Sequence, residues 1–213
     1  LTAPGPLDSR RGVLTSPVNM PQWTRLPLRQ IIEDEFGIAT FIDNNANACA
    51  LAEKWFGAAR GMDDFVYLLV DTGVGAGIVS EGNVLRGAQD IAGEFGHTTI
   101  DVNGPLCGCG NTGCLELYAS PLAAVARVRQ ALATGRSSLI PTLMHDKVDK
   151  LDFAVVAQAA HQGDALALEA LDEMARALTV GIANLINVFD PEAVFLGGRI
   201  CLVLDLMLER LRH

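Results

Sequence analysis

The run DALALEALDEMARALTVGIANLINVFDPEAVFLGGRI constrains the fold more than any other stretch of this chain. Leu171, Ala175, Leu178, Ile182 and Leu185 recur at three- and four-residue spacing, one apolar face of a long helix that packs against the rest of the fold. Asp190 and Pro191 stop it, since proline has no N–H to donate. Ala193 to Leu196 then reads as a short apolar strand running into Gly197 and Gly198. A long packed helix that feeds a strand implies layered architecture.

The rest of the chain repeats the alternation. PLRQIIEDEFG predicts a helix with Leu28, Ile31, Ile32 and Phe36 on one face, Pro27 in its first turn and Gly37 as its stop. IATFID predicts a strand, NNANACALAEKWFG a helix closed by Gly57, and DDFVYLLVD a buried strand. GVGAGIVSEGNVLRG predicts a hairpin that turns at Ser80 to Asn83. Further helices are expected over Pro121 to Ala133 and residues 151 to 163, while the proline-rich first 27 residues show little periodicity. The fold class is α/β.

Half the residues are hydrophobic, enough to bury a sizeable core, and a net charge of -9 repels polyanions such as DNA. There is no apolar run long enough for a membrane span, and LTAPGPLDSRRGVLTSP has neither a basic nor an apolar leader region, so the chain reads as cytoplasmic with no membrane partner. Of the five cysteines, three crowd into one loop, which suits a reducing compartment. Cys49 and Cys201 are expected as core residues, Trp23 and Trp55 as packing anchors, and His145 and His161 at the surface.

The crowded loop is GEFGHTTIDVNGPLCGCGNTGCLE, residues 93 to 116. His97, Cys107, Cys109 and Cys114 supply one imidazole and three thiolates, the ligand count of a closed tetrahedral zinc site, and the interleaved glycines let the chain wrap a single ion. With four protein ligands no position is left for an activated water, so such a metal is architectural. A disulfide, or three plain buried thiols, are the competing readings. Glu94 and Glu116 bracket the loop and stand either as acceptors for sugar hydroxyls or as solvated carboxylates behind the ligands.

In the order SPVNMPQW, FIDNNANACALAE, DTGVGAGIVSEGNVLRGA, the cysteine loop and FLGGRI, most of the chain resembles the ROK family of sugar kinases and sugar-responsive repressors. The resemblance implies an actin-like (ribonuclease H-like) two-lobed sugar-binding fold, here truncated at both ends. The expected division puts residues 1–45 in the small lobe and 46–213 in the larger lobe with the zinc loop. It implies zinc on His97, Cys107, Cys109 and Cys114, and sugar contacts from Asn44, Asn45, Glu94, His97 and Glu116. Thr72, Gly73, Gly75, Gly197 and Gly198 match the nucleotide motifs in vestigial form.

In the kinases of that family the position of Asn45 is an aspartate that acts as general base, so no catalytic residue is expected here; losing a positioned base costs about 10²- to 10⁴-fold in rate. Asp71 stands where the kinases have glycine, and the family's amino-terminal phosphate loop is not in this chain. These departures favour the sugar-sensing domain of a transcriptional repressor, with a monosaccharide ligand and structural zinc. DNA would be met only through a helix-turn-helix outside this chain, and a homodimer or homotetramer is implied by analogy. The alternative is a hexose or N-acetylhexosamine kinase using ATP and Mg.

Overall fold

The computed structural model describes residues 1–18, 20–144 and 150–211; His145 and the terminal His213 lie outside the described residues. The chain opens with three short strands, β1 (Thr2–Ala3), β2 (Leu7–Asp8) and β3 (Val13–Leu14), which the sequence periodicity did not announce. β2 and β3 pair antiparallel with Leu7 opposite Leu14. Helix α1 (Leu28–Phe36) ends where Gly37, at φ 64°, turns its N–H back to Glu33 O. Leu28 and Ile32 pack in a cluster with Ala3, Leu7, Leu14 and Ile42, whereas Ile31 and Phe36 of the expected apolar face are exposed.

The strand expected over IATFID is a correction: only β4 (Asp43–Asn44) forms, parallel to β1 with Thr2 opposite Asp43. β1 offers a two-residue edge, so Ile38 and Phe41 have no ladder to join and face solvent. Helix α2 (Asn45–Phe56) follows at once, because Asn44 holds extended dihedrals and its side chain accepts the Ala46 N–H at 2.8 Å. β5 (Phe65–Val70), β6 (Val74–Ser80) and β7 (Asn83–Val84) come next. The predicted hairpin is β6–β7, with Ser80 opposite Asn83 and both loop residues, Glu81 and Gly82, at positive φ as a tight turn between twisted strands requires.

Beyond the cysteine loop lie α3 (Glu116–Ala119), α4 (Pro121–Ala133), α5 (Ile140–Leu143), α6 (Phe153–His161) and α7 (Ala165–Phe189). Ser120 caps α4 through the Ala123 N–H, and Asp152 caps α6 through the Val155 N–H. The predicted long helix is α7, 25 residues, with Leu171, Ala175, Leu178 and Leu185 buried. Buried Asp164 caps it at the Ala167 N–H and also accepts the Leu139 N–H at 2.6 Å. β8 (Ala193–Gly197) and α8 (Leu204–Leu211) complete the described elements, and the larger sheet has the order β7-β6-β5-β8.

Two compact units result. The first comprises 1–69, 75–96 and 189–195, the second 70–74, 97–188 and 196–213. The first holds the α1 cluster and a second one of Ala50, Ala59, Phe65 and Val79, with Phe65 and Phe195 edge to face at 5.6 Å. In the second, α4 lies against α3 and α6. These units interleave along the chain, because β8 joins the larger sheet beside β5, while the expected 1–45 and 46–213 division runs in sequence order.

One expected core residue and one expected packing anchor are corrected. Cys201 is exposed, on a 3-10 turn over Arg199–Leu202, and Trp55 is 59% exposed beside Phe56 at the end of α2. Trp23 packs against the first cluster as expected. Among the described residues no helix is long and apolar enough to cross a membrane.

Candidate functional site

His97 sits on a 3-10 turn (Phe95–His97) of which residues 95 and 96 belong to the first unit and His97 to the second. The loop after it closes on itself inside the second unit. Ile100 N–H bonds Gly113 O at 2.9 Å, Gly113 N–H bonds Pro105 O at 2.8 Å, and Cys107 N–H bonds Asn111 O at 2.7 Å. Asn111 Nδ2 also donates to His97 O at 3.1 Å. At Gly113 (φ 62°) the backbone passes so near Asp101 O that a Cβ would lie 1.7 Å from it, so only glycine fits.

These bonds bring the four predicted ligands together. One imidazole nitrogen and three sulfurs lie within 4.8 Å of one another. Cys107 Sγ is 3.7 Å from His97 Nδ1, and Cys109 Sγ is 3.7 Å from Cys114 Sγ. A disulfide needs sulfurs about 2.05 Å apart, whereas a tetrahedral ion with bonds near 2.3 Å holds its sulfurs about 3.8 Å apart. The spacing therefore fits a tetrahedral ion and not a disulfide. Burial and the neighbouring Cys109 and Cys107 thiols push the Cys114 thiol up to about 12. Burial also opposes ionisation of Cys109, but hydrogen bonds from the backbone at Asn111 and Cys109 and from the Cys107 and Cys114 thiols together outweigh it and hold that thiol below the usual range. A cation at the centre of the cluster would offset the repulsion among thiolates this close.

The predicted polar contacts of the first unit converge on the start of α2. Asn44 spends its Oδ1 on the helix cap and turns its Nδ2 toward Glu94 Oε1 at 3.5 Å, and Asn45 is the half-buried first helical residue. Gly5, in the connection from β1 to β2, passes over this pair: a Cβ there would lie 2.0 Å from Glu94 Oε1 and 2.7 Å from Asn44 Nδ2. Sequence reading missed Gly5; its signal, a Gly-Pro pair in a proline-rich segment, is common to many turns. Gly77 on β6 allows α2 to approach, since a Cβ there would meet Ala46 O at 2.2 Å.

In the second unit, Glu116 opens α3 and its Oε2 accepts the Val74 N–H at 2.9 Å, at the start of β6. The turn before Val74 is tight, with Asp71 N–H donating to Gly73 O at 2.9 Å and Thr72 exposed. Asp71 Oδ1 lies 3.0 Å from Arg199 Nε, on the turn that follows Gly197 and Gly198. Gly198 has φ 93° and ψ -157°, a conformation open only to glycine. Arg199, which the sequence reading passed over, is thus the charge that faces Asp71.

The ROK family model matches residues 1–213. The chain belongs to the ROK family. It is 38% identical over 210 residues to the xylose repressor of Caldicellulosiruptor bescii, covering 99% of this chain and 52% of the repressor. It is also 38% identical over 211 residues to the glucokinase of Thermotoga maritima, covering 99% of this chain and 66% of the glucokinase. Among solved structures, a ROK glucokinase from Streptomyces griseus in complex with glucose and AMPPNP superposes with a TM-score of 0.90 at 34% identity, covering 99% of this chain and 69% of that one. The chain thus spans about half the length of a ROK repressor and two thirds of a ROK kinase, and its fold is the actin-like α/β fold of these proteins.

Proposed function

We propose that this ROK chain is the sugar-sensing effector domain of a transcriptional repressor, built around a structural zinc. The observation that carries the reading is Asn45, an amide on the first residue of α2 beside the Asn44–Glu94 pair. An amide donates to and accepts from a sugar hydroxyl but takes no proton from it. Asn44, Asn45 and Glu94, with Gly5 above them, are the proposed hydroxyl contacts, and His97 and Glu116 are proposed as further ones. The relatives bearing the names xylose repressor and glucokinase supply the probes, D-xylose and D-glucose.

His97, Cys107, Cys109 and Cys114 would hold the zinc, which would cross-link the loop that precedes Glu116. Asp71 supports the same reading. Its carboxylate lies in the turn where the nucleotide motif residues Thr72, Gly73 and Gly75 are found, and it takes up Arg199, a cation that would otherwise face a phosphate. Sugar would act by binding one conformation more tightly than another, with DNA contact left to a separate helix-turn-helix segment and assembly as a homodimer or homotetramer.

Calorimetric titration of the full-length protein with D-xylose and D-glucose, alongside a coupled ADP-release assay, tests the proposal. Saturable binding without sugar-dependent ATP turnover is the expected result. Turnover in the common range of about 1 to 10³ s⁻¹ would replace it with the kinase reading. That second reading, with ATP and Mg as co-substrates, is favoured by the likeness to the glucokinase solved with glucose and AMPPNP.

A further inference from the structure

Arg86 follows β7 by two residues and touches both segments that carry the polar contacts of the first unit. Its Nη2 donates to Asp43 Oδ2. The other oxygen of Asp43 accepts the Asn44 N–H at 2.8 Å and Asn47 Nδ2 at 3.2 Å. Asn47 is only 4% exposed, so this carboxylate is part of the wall that sets where α2 begins. Through its backbone Arg86 holds the other segment as well: its carbonyl accepts the Ala92 N–H at 3.0 Å, closing the loop two residues before Glu94. Asp90, on the same loop, is fixed by the Ser9 N–H and hydroxyl at 2.9 and 2.8 Å.

We propose that Arg86 is a positioning residue: by pairing with Asp43 and closing the 86–92 loop, it holds Asn44 and Glu94 in the register that recognises adjacent sugar hydroxyls. The proposal deepens the sugar-binding reading and rests on it for the identity of the ligand. A carboxylate with 21% of its side chain exposed needs a partner for its charge, and Arg86 supplies it from the far segment. Without that cation Asp43 moves toward solvent, releasing the Asn44 N–H and Asn47. The Asn44 amide and the Glu94 carboxylate then lose their common anchor.

Arg86→Met and Arg86→Lys in the full-length protein test this with two readouts. In sugar-free protein, Arg86→Met is expected to shift the nuclear magnetic resonance signals of the Asn44 and Asn47 side-chain amides and the Glu94 backbone amide together, and Arg86→Lys to return them most of the way. Titration with D-xylose and D-glucose is expected to show binding weakened on the order of tenfold in Arg86→Met and partly rescued in Arg86→Lys. Unmoved Asn44 or Glu94 signals, or a lysine variant no better than the methionine one, would overturn the positioning role. Wild-type protein that binds neither sugar would overturn the sugar reading alone, and the sugar-free spectra would still decide Arg86.

Discussion

Gly113→Ala isolates what the cysteine loop demands of its backbone. Gly113 and Gly110 both have positive φ, 62° and 92°, so alanine at either costs about 1–2 kcal/mol in backbone strain. At Gly110 nothing lies within 4 Å of the added Cβ, and the cost ends there. At Gly113 the Cβ falls 1.7 Å from Asp101 O, a carbonyl that already accepts the Gly104 N–H at 3.1 Å, while Gly113 itself is held by bonds to Ile100 and Pro105. Overpacking against backbone adds about 1–3 kcal/mol, and a strained hydrogen bond about 1 kcal/mol more. The total is about 4 kcal/mol against about 1.5 kcal/mol for Gly110→Ala, or roughly 8–16 °C against 3–6 °C in melting temperature for a chain of this size. Thermal unfolding followed by circular dichroism, with metal content measured on the same samples, gives the answer. Equal melting temperatures for the two variants, with metal retained in both, would refute the reasoning, because it would mean that Asp101 yields without cost.

Elemental analysis is expected to find about one zinc per chain, and Cys114→Ser to lose it together with thermal stability, since three ligands leave the site open. Asp164→Ala removes the cap of α7 and orphans the Leu139 N–H; about 2–4 kcal/mol should be lost in urea unfolding. Burial, and then the hydrogen bond to Asp101, hold the Tyr118 hydroxyl above its ordinary range. The resulting stabilisation is fully present below the unfolded value of about 10 and is lost as pH rises through the folded one, so Tyr118→Phe should flatten the alkaline end of the stability profile. Asn44→Ser keeps a capping oxygen but not the amide that reaches Glu94, so sugar affinity should fall with little change in melting temperature, whereas Asn44→Ala should lower both.

Elements governed by local chemistry were legible in the sequence. α7 followed from periodicity, α2 from its glycine stop at Gly57, and the β6–β7 turn from the Ser80 to Asn83 stretch between apolar runs. The convergence of His97, Cys107, Cys109 and Cys114 was legible for the same reason, because four donors within eighteen positions can meet through one closed loop. What failed depended on partners distant along the chain. Residues 38–42 have strand composition but only the two-residue edge of β1 to pair with, and Cys201 has apolar neighbours in sequence but lies on an exposed turn. Arg199 and Arg86 were invisible as site residues because their partners, Asp71 and Asp43, lie 128 and 43 positions away.

Equal identity to a repressor and a kinase has a physical basis in how labour is divided within the site. Asn44 has committed one lone pair of its oxygen to the Ala46 N–H and turns its Nδ2, a donor, toward Glu94. Glu94 faces it as an acceptor. A donor and an acceptor side by side suit a hydroxyl, which is both, and neither group needs to change charge to do this. On the proposed reading, hydrogen bonding to a sugar asks no proton transfer of Asn45, whereas phosphoryl transfer needs a proton acceptor there as well as room for phosphate beside Asp71. Activity on this reading turns on a few side chains, Asn45 and Asp71 among them, while the cap, the hairpin and the cysteine loop around them can stay the same, so the share of identical residues carries almost no information about which activity a chain retains.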